Sequence, residues 1–472
     1  MHCSMRRAQQ AVQRSVSPSV ERAAQASATS APRNTRRRGA PRRLYLRAMP
    51  DETATLPTPP ADAEGATAWV AEHLGDLTLE GAGGVAASPR FRGGQGAAEA
   101  ALAAWDVTGY ASRRNTVLPA ERRGASGLSP YIRYGLLSLR QLHAHVAGAP
   151  ARDREKFRDE LLWQEYARHL YARVGDANGR DLRYAQPAVA DPWPEPWPRE
   201  MKCVATTLEE LETDGWLVNQ TRMWLASQWS VRAGADWREG EHRFFTHLLD
   251  GSRAANRLGW QWTVGTGTGR PYGFSRWQVR KRAPELCATC ALRDACPIER
   301  WPDATAGDAH AEGPTRADLR HDPDLAATAG PAKPALAAAP DHVWLTAESL
   351  GDADPALAAH PGLPAVFVFD APLLARWRLS GKRLIFLAET LGDLATRREV
   401  RVVRGDPVSA LAGRRLAATF TPVPGWARRA AALDVADVHP WPWLVRPHDG
   451  GIGSFSAWRK RGGPVTVARV GV

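Results

Sequence analysis

Gly-Trp-Leu-Val-Asn-Gln-Thr-Arg-Met (215–223), Ala-Asp-Trp-Arg-Glu-Gly-Glu (235–241) and Leu-Asp-Gly-Ser-Arg-Ala-Ala-Asn-Arg-Leu-Gly-Trp-Gln-Trp (249–262) place two Asn, an Arg, an Asp and a cluster of Trp close together in the chain. Around them, residues 91–302 are rich in Trp and Arg and patterned for amphipathic helices. Asp159–Val174, for example, sets Leu161, Leu162, Tyr166, Leu170 and Tyr171 along one apolar face. Few β-branched runs interrupt the region, which predicts an all-helical domain.

Outward from this block the composition changes. Residues 49–90 hold one helical stretch, Ala61–Leu77, between Pro- and Gly-containing ends. Residues 303–340 are Ala, Pro, Gly, Asp and Thr with almost no large apolar side chain, the composition of a flexible linker. Beyond it, short apolar runs (His342–Leu345, Ala365–Phe369, Val400–Val403, Ala417–Phe420) alternate with helix-like stretches such as Lys382–Arg398 and Trp426–Leu433. That alternation predicts a parallel-sheet, Rossmann-like α/β domain over 341–460, with 461–472 as a tail. The fold class is therefore multidomain: a helical domain followed by an α/β domain.

At 472 residues the chain has room for two or three cores. Its formal charge of +12 is concentrated at one end: residues 1–48 hold eleven Arg against one Glu, or +10, which leaves +2 for the remainder. Any polyanion site on the folded part must then be a local patch. The leader has no helical period and reads as disordered. It has the composition of an organelle transit peptide, or else synthesis begins at Met49 and the leader is not made. No apolar run reaches the roughly 18–20 residues of a membrane span, and we expect a cytoplasmic protein. Apart from Cys3, the cysteines are Cys203, Cys287, Cys290 and Cys296. A tight cluster of this kind reads as a metal site before it reads as disulfides.

The opening stretch resembles the flavin-binding core of the DNA photolyase/cryptochrome family, and the likeness extends over nearly all of the helical region. Phe91-Arg-Gly-Gly-Gln-Gly (91–96), Tyr110, Ser126-Gly-Leu-Ser-Pro-Tyr-Ile-Arg-Tyr-Gly (126–135), Leu137-Ser-Leu-Arg-Gln (137–141) and Glu160-Leu-Leu-Trp-Gln-Glu-Tyr-Ala-Arg-His-Leu (160–170) follow in the family's order. The C-terminal region resembles the family's antenna domain, which ordinarily comes first. Trp344, Asp354-Pro-Ala-Leu (354–357), Phe367-Val-Phe-Asp (367–370), Lys382-Arg-Leu-Ile-Phe-Leu (382–387), Arg404-Gly-Asp-Pro (404–407) and Phe455-Ser-Ala-Trp (455–458) carry that likeness. The two domains would thus stand in reversed order, joined by a linker long enough for the usual docking.

The resemblance implies FAD. Tyr110, Ser126, Leu128 and Ser129 would hold its pyrophosphate and ribityl end, although Ser126 and Ser129 also suit a helix cap. Arg222 and Asp250 would lie beside the ring, with Asn219 near and Asn256 at the reactive nitrogen; the Arg–Asp pair also reads as a structural salt bridge. Glu160, Trp163, Asn219, Met223 and Trp262 match positions that touch a flipped pyrimidine dimer, which needs flat apolar walls and a polar group for its base edges. Trp260 and Trp237 match an electron-hopping chain, with Trp193 or Trp197 as its surface member. Core packing accounts for some of nineteen Trp in any case.

There are departures. Gln164 replaces a common Arg, Ser252 a second Asp, Ala125 a hydroxyl donor, and Lys202-Cys-Val-Ala (202–205) a Gly-rich segment. Thr346-Ala-Glu (346–348) replaces the antenna domain's usual Arg-Arg-Asp, so no antenna chromophore is assigned. Cys287, Cys290 and Cys296 have C-x2-C-x5-C spacing before Pro297, and Cys203 supplies a fourth ligand. Four thiolates suit a [4Fe–4S] cluster or structural zinc; the spacing and the trailing Pro resemble iron–sulfur loops of DNA-processing enzymes, including bacterial members of this family. Arg168, Arg276, Arg280, Lys281 and Arg282 are candidate phosphate contacts.

The expected function is FAD-dependent, light-driven repair of pyrimidine dimers in UV-damaged DNA, a lyase reaction. The alternatives are a cryptochrome-like photosensor and a flavin/iron–sulfur redox protein without repair activity. No protein partner is inferred.

Overall fold

The computed structural model describes residues 53–302, 313–463 and 465. The expectations for the basic leader and most of the tail lie outside them. Helix formation in the first half follows the apolar period. Helices α1 (Ala63–Leu74), α2 (Gln95–Ala104), α3 (Ser129–Arg133) and α4 (Ala151–Val174) lead into α5 (Lys202–Asp214), α6 (Asn219–Ser227), α7 (Trp237–His247) and α8 (Arg253–Val264); α9 (Arg276–Arg282) and α10 (Pro284–Ala288) close the series. The long helix α4 shows why. Its first-turn Asp153 accepts from the backbone N–H groups of Gly109 and Ala111 at 2.9 and 2.8 Å, and Gly175 ends it at a φ of +56°. Leu161, Leu162, Tyr166, Leu170 and Tyr171 are all buried, as the pattern requires. Residues 91–302 contain no strand.

The second half builds a seven-stranded sheet in the order β1-β5-β4-β3-β6-β7-β2. Strands β3 (His342–Leu345), β4 (Ala365–Asp370), β5 (Val400–Gly405), β6 (Arg415–Thr419) and β7 (Asp434–His439) are mutually parallel. Two short antiparallel strands, β1 (Ala54–Leu56) on β5 and β2 (Ala335–Leu336) on β7, cover the edges. The four runs read from sequence are strands; β7, β1 and β2 were missed. Helix α11 (Gly381–Ala395) fills the interval between β4 and β5, and α12 (Phe455–Arg461) ends the described chain.

Two domain boundaries need correction. Residues 53–77 are not merely a helical lead-in: β1 joins the sheet, α1 packs on α11, and Trp69 of α1 meets Phe369 of β4 at 5.9 Å. Nor is the stretch after residue 312 a bare tether. It holds helices Arg316–Arg320 and Leu325–Ala329 as well as β2, and Asp322 makes a fully buried ion pair with Arg173 of α4 at 3.1 Å. Small residues read as flexible in sequence, but here they allow close docking, with Thr328 and Ala329 buried.

The described residues form one compact unit, and α11 is its junction. Almost every residue of α11 is buried. Its Glu389, Thr390 and Asp393 side chains accept from the successive backbone N–H groups of Gly93, Gly94 and Gln95 at 2.5, 3.1 and 2.8 Å. Only glycine fits at 93, where a Cβ would lie 2.2 Å from the Phe386 carbonyl oxygen. The helical body therefore meets the α/β layer through backbone, which fixes their relative placement.

Candidate functional site

Helix α8 is the axis of the site, packed against α4, α6 and α7. Ser252 caps it by accepting from the Ala254 N–H at 3.2 Å. One turn in, the buried Asn256 spends both amide hydrogens on Glu241: Nδ2 donates to its carbonyl at 3.1 Å and to Oε1 at 2.8 Å. Two acceptor partners fix the amide orientation, so Asn256 Oδ1 is the atom left for a ligand. Glu241 is 2 % exposed and faced by Arg253 and, at 3.9 Å, Arg257. Burial raises its carboxyl pKa, and the two guanidiniums oppose the rise.

Beside this lies the predicted Arg–Asp pair. Arg222 Nη2 donates to Asp250 Oδ2 at 2.7 Å and Nε to the Leu217 carbonyl at 3.0 Å. The turn is pinned at the Gly251 carbonyl, which accepts from Arg133 Nε and Arg383 Nη2, both at 3.0 Å. Asp250 Oδ1 is buried without a hydrogen-bond partner among the described residues. An acceptor left bare costs about 1–3 kcal/mol unless a ligand or water meets it.

The phosphate-side residues are packed but offer fewer donors. Tyr110 is buried edge-on to Trp105 and Phe157, and burial drives its phenol pKa up. Ser126 Oγ accepts from the Leu128 N–H at 3.3 Å, and Leu128 is fully buried. Ser129 Oγ accepts from Trp216 Nε1 at 2.9 Å, which leaves its hydroxyl proton to donate. Neither serine side chain caps the five-residue α3. Gln164 is half-buried on α4.

The expected lesion pocket is only partly assembled. Glu160 is engaged by Arg114 at 3.0 Å and Lys156 at 2.7 Å, so a base edge would compete with two cations for it. One face of Trp163 is covered by Phe455 of α12, stacked at 4.0 Å and 12°. Asn219 is exposed, with Nδ2 3.6 Å from Met223 Sδ. Trp262 is 37 % exposed and leans on Tyr272 at 5.6 Å.

Trp237 and Trp260 are both buried, Trp237 donating to Asp181 at 2.7 Å. Trp260 lies 5.0 Å from Phe244, in the space left by Gly240, where a Cβ would come 2.3 Å from its ring. Trp197 is buried against Trp229 at 4.7 Å and Phe244 at 5.9 Å, so the half-buried Trp193 is the more exposed of the two surface candidates.

Cys203 of α5, Cys287 of α10, Cys290 and Cys296 line one cavity with Met201, Arg276 and Leu286. Burial, then the three other thiols, push the Cys203 thiol up to about 12. Thiolates here need a compensating cation. Among the described residues the one His/Cys/Asp/Glu trio with ligand atoms within 4.8 Å of one another is elsewhere, so these sulfurs are spread wider than the ~3.8 Å of a tetrahedral zinc site.

Of the basic candidates, Arg168 does not face outward: its guanidinium lies over Trp441 at 4.4 Å. Arg280 and Lys281 are exposed beside Trp277, with Lys281 Nζ 4.7 Å from that ring. Sequence reasoning gave neither Glu241 nor Phe455 a role in the site. Glu241 was detectable, because it stands four residues after Trp237 and four before Phe245, on the buried stripe of α7.

Residues 157–280, which run from within α4 to within α9, match the family model described as the FAD binding domain of DNA photolyase. Over this stretch the chain is similar to the FAD-binding domain of DNA photolyase. Over 166 residues it is 34 % identical to a deoxyribodipyrimidine photo-lyase of Vibrio cholerae, covering 32 % of this chain and 35 % of that protein. It is 30 % identical over 211 residues to the corresponding protein of a Synechococcus strain, covering 41 % and 42 %. The chain thus spans less than half the length of these relatives. A class III photolyase structure from Agrobacterium tumefaciens aligns at 24 % identity and a TM-score of 0.37, over 41 % of this chain and 44 % of that one. No helix among the described residues is long and apolar enough to cross a membrane.

Proposed function

We propose that this photolyase-type chain repairs pyrimidine dimers in UV-damaged DNA in a light-driven reaction that depends on reduced FAD. The observation that carries the reading is the buried Asp250 Oδ1, which has no hydrogen-bond partner among the described residues, beside an Asn256 whose amide hydrogens are both taken by Glu241 so that its Oδ1 is left to face a ligand. An acceptor held rigidly at Asn256 favours a ligand nitrogen that carries a proton, and Asp250 favours a second donor. Tyr110, Ser126, Leu128 and Ser129 would cradle the phosphate end, and Gln164, Arg222 and Asn219 would flank the ring. Bound reduced FAD supplies a light-excitable one-electron donor. The chain's own residues orient it, exclude water, and offer Glu160, Trp163, Met223 and Trp262 to a flipped pyrimidine dimer. Arg280 and Lys281 would meet phosphates. Replacing Glu160 by Gln or Trp262 by Ala is expected to lower light-dependent repair at least tenfold while bound FAD per chain stays unchanged. Undiminished repair in both would remove the pocket from the account.

A cryptochrome-like photosensor is the second reading, supported by Phe455 occupying one face of Trp163. It predicts light-driven flavin reduction through Trp260 without dimer loss. We also infer that Cys203, Cys287, Cys290 and Cys296 hold a [4Fe–4S] cluster rather than zinc, in keeping with their wide spacing. About four iron atoms per anaerobically purified chain, lost in Cys290→Ser, is the expected result; one zinc instead would reverse the assignment.

A further inference from the structure

We propose that His360, Asp437 and His439 bind one divalent transition cation, zinc by preference, which clamps β7 to the end of helix Pro355–Ala359. Their ligand atoms lie within 4.8 Å of one another. His360 Nε2 is 2.7 Å and His439 Nε2 2.9 Å from the same oxygen, Asp437 Oδ2, with the two rings perpendicular at 5.6 Å. Asp437 and His439 are 4 % and 5 % exposed, and Asp437 Oδ1 has no hydrogen-bond partner among the described residues.

The backbone aims the trio. Leu416 pairs with Val435 but Ala417 with Asp437, so Ala436 is a bulge, and bulges redirect the side chains that follow them. Asp437 then lies beside Ala417 and His439 beside Thr419. Thr419 Oγ1 donates at 2.8 Å to Asp354, the N-cap of helix Pro355–Ala359, while His360 is the C-cap of that helix. The nearby Arg398 is occupied by the backbone carbonyls of Leu357, His360 and Leu363.

With hydrogen bonds alone, two imidazole N–H groups crowd one carboxylate oxygen and leave the other bare. When each imidazole proton moves from Nε2 to Nδ1, three lone pairs converge and a cation takes the place of the two shared protons. Two imidazoles and a carboxylate, with water in the fourth position, form a usual zinc donor set. His360, its side chain 20 % exposed, gives the way in. None of these residues belongs to the cysteine cavity or the flavin site.

Cobalt(II) is the probe, because thiolate-bound cobalt has an intense sulfur-to-metal charge-transfer band that a His/His/Asp site lacks. The chelator-treated full chain should take up one cobalt equivalent without that band, in addition to any at the cysteines. His360→Gln, at the half-buried member, should weaken this uptake at least tenfold with an unchanged circular dichroism spectrum, and His439→Gln should do the same. Cys290→Ser should leave it intact. If the only cobalt bound shows the thiolate band, or if both His variants titrate like the parent, the site is a hydrogen-bonded trio and the proposal is wrong.

Discussion

Asn256 presents one free oxygen because Glu241 ties up both of its amide hydrogens, and Glu241 tolerates its burial because Arg253 and Arg257 face it. Replacing Glu241 by Gln removes the charge between two partly buried guanidiniums. Breaking such a pair from one side should cost about 3 kcal/mol, read as a lower denaturation midpoint with unchanged slope. It should also release the orientation of Asn256, measured as weaker FAD retention. At this scale the pairing of Arg222 with Asp250 was legible, since the sequence reading already set the two side by side. Phe455 was not: it meets Trp163 from 292 positions away, and no local pattern announces a stacking partner.

Helix α4 is clasped from the far end of the chain by a polar pair with opposite pH responses. Glu165 is fully buried, its Oε1 accepting from the Val445 N–H at 2.9 Å, and desolvation pushes its pKa up to about 7. The neighbouring His169 accepts from Trp458 Nε1 at Nδ1 (2.8 Å) and so donates from Nε2 to the Val445 carbonyl (2.8 Å); burial pushes its pKa down to about 3. A raised carboxyl pKa stabilises the fold fully below the unfolded value of 4.5, and this is lost as pH rises through about 7. A depressed imidazole pKa contributes fully above 6.5 and loses its effect as pH falls toward 3. Glu165→Gln should therefore flatten the fall in melting temperature between pH 4.5 and about 7, while the acid limb set by His169 persists; an unchanged profile would exclude Glu165 as its source. Elements with strong periods, α4 and the apolar strands β3 to β6, were read correctly. β7 was not, because Asp434, Asp437 and His439 break its apolar run, and β1 pairs with a strand some 350 positions away.

Over the whole molecule, the helical body precedes the α/β layer in the chain, yet both chain ends cross the division. β1 and α1 complete the sheet side, and α12 returns to α4. Sequence composition separated the two folds but not these crossings, since three-residue strands and single-helix contacts leave little local signal. Docking depends on close backbone approach at Gly93, where a methyl group would meet the Phe386 carbonyl at 2.2 Å. Gly93→Ala should cost about 1–3 kcal/mol and expose the α2–α11 junction to protease before the rest unfolds. The activity we propose for this arrangement is light-driven repair. Its most direct test is loss of pyrimidine dimers from an irradiated oligonucleotide incubated with anaerobically purified, photoreduced full chain, in light and in darkness. Dimer loss in the light alone is the expected result. Dimers that persist in the light while FAD is bound and photoreduced would contradict it.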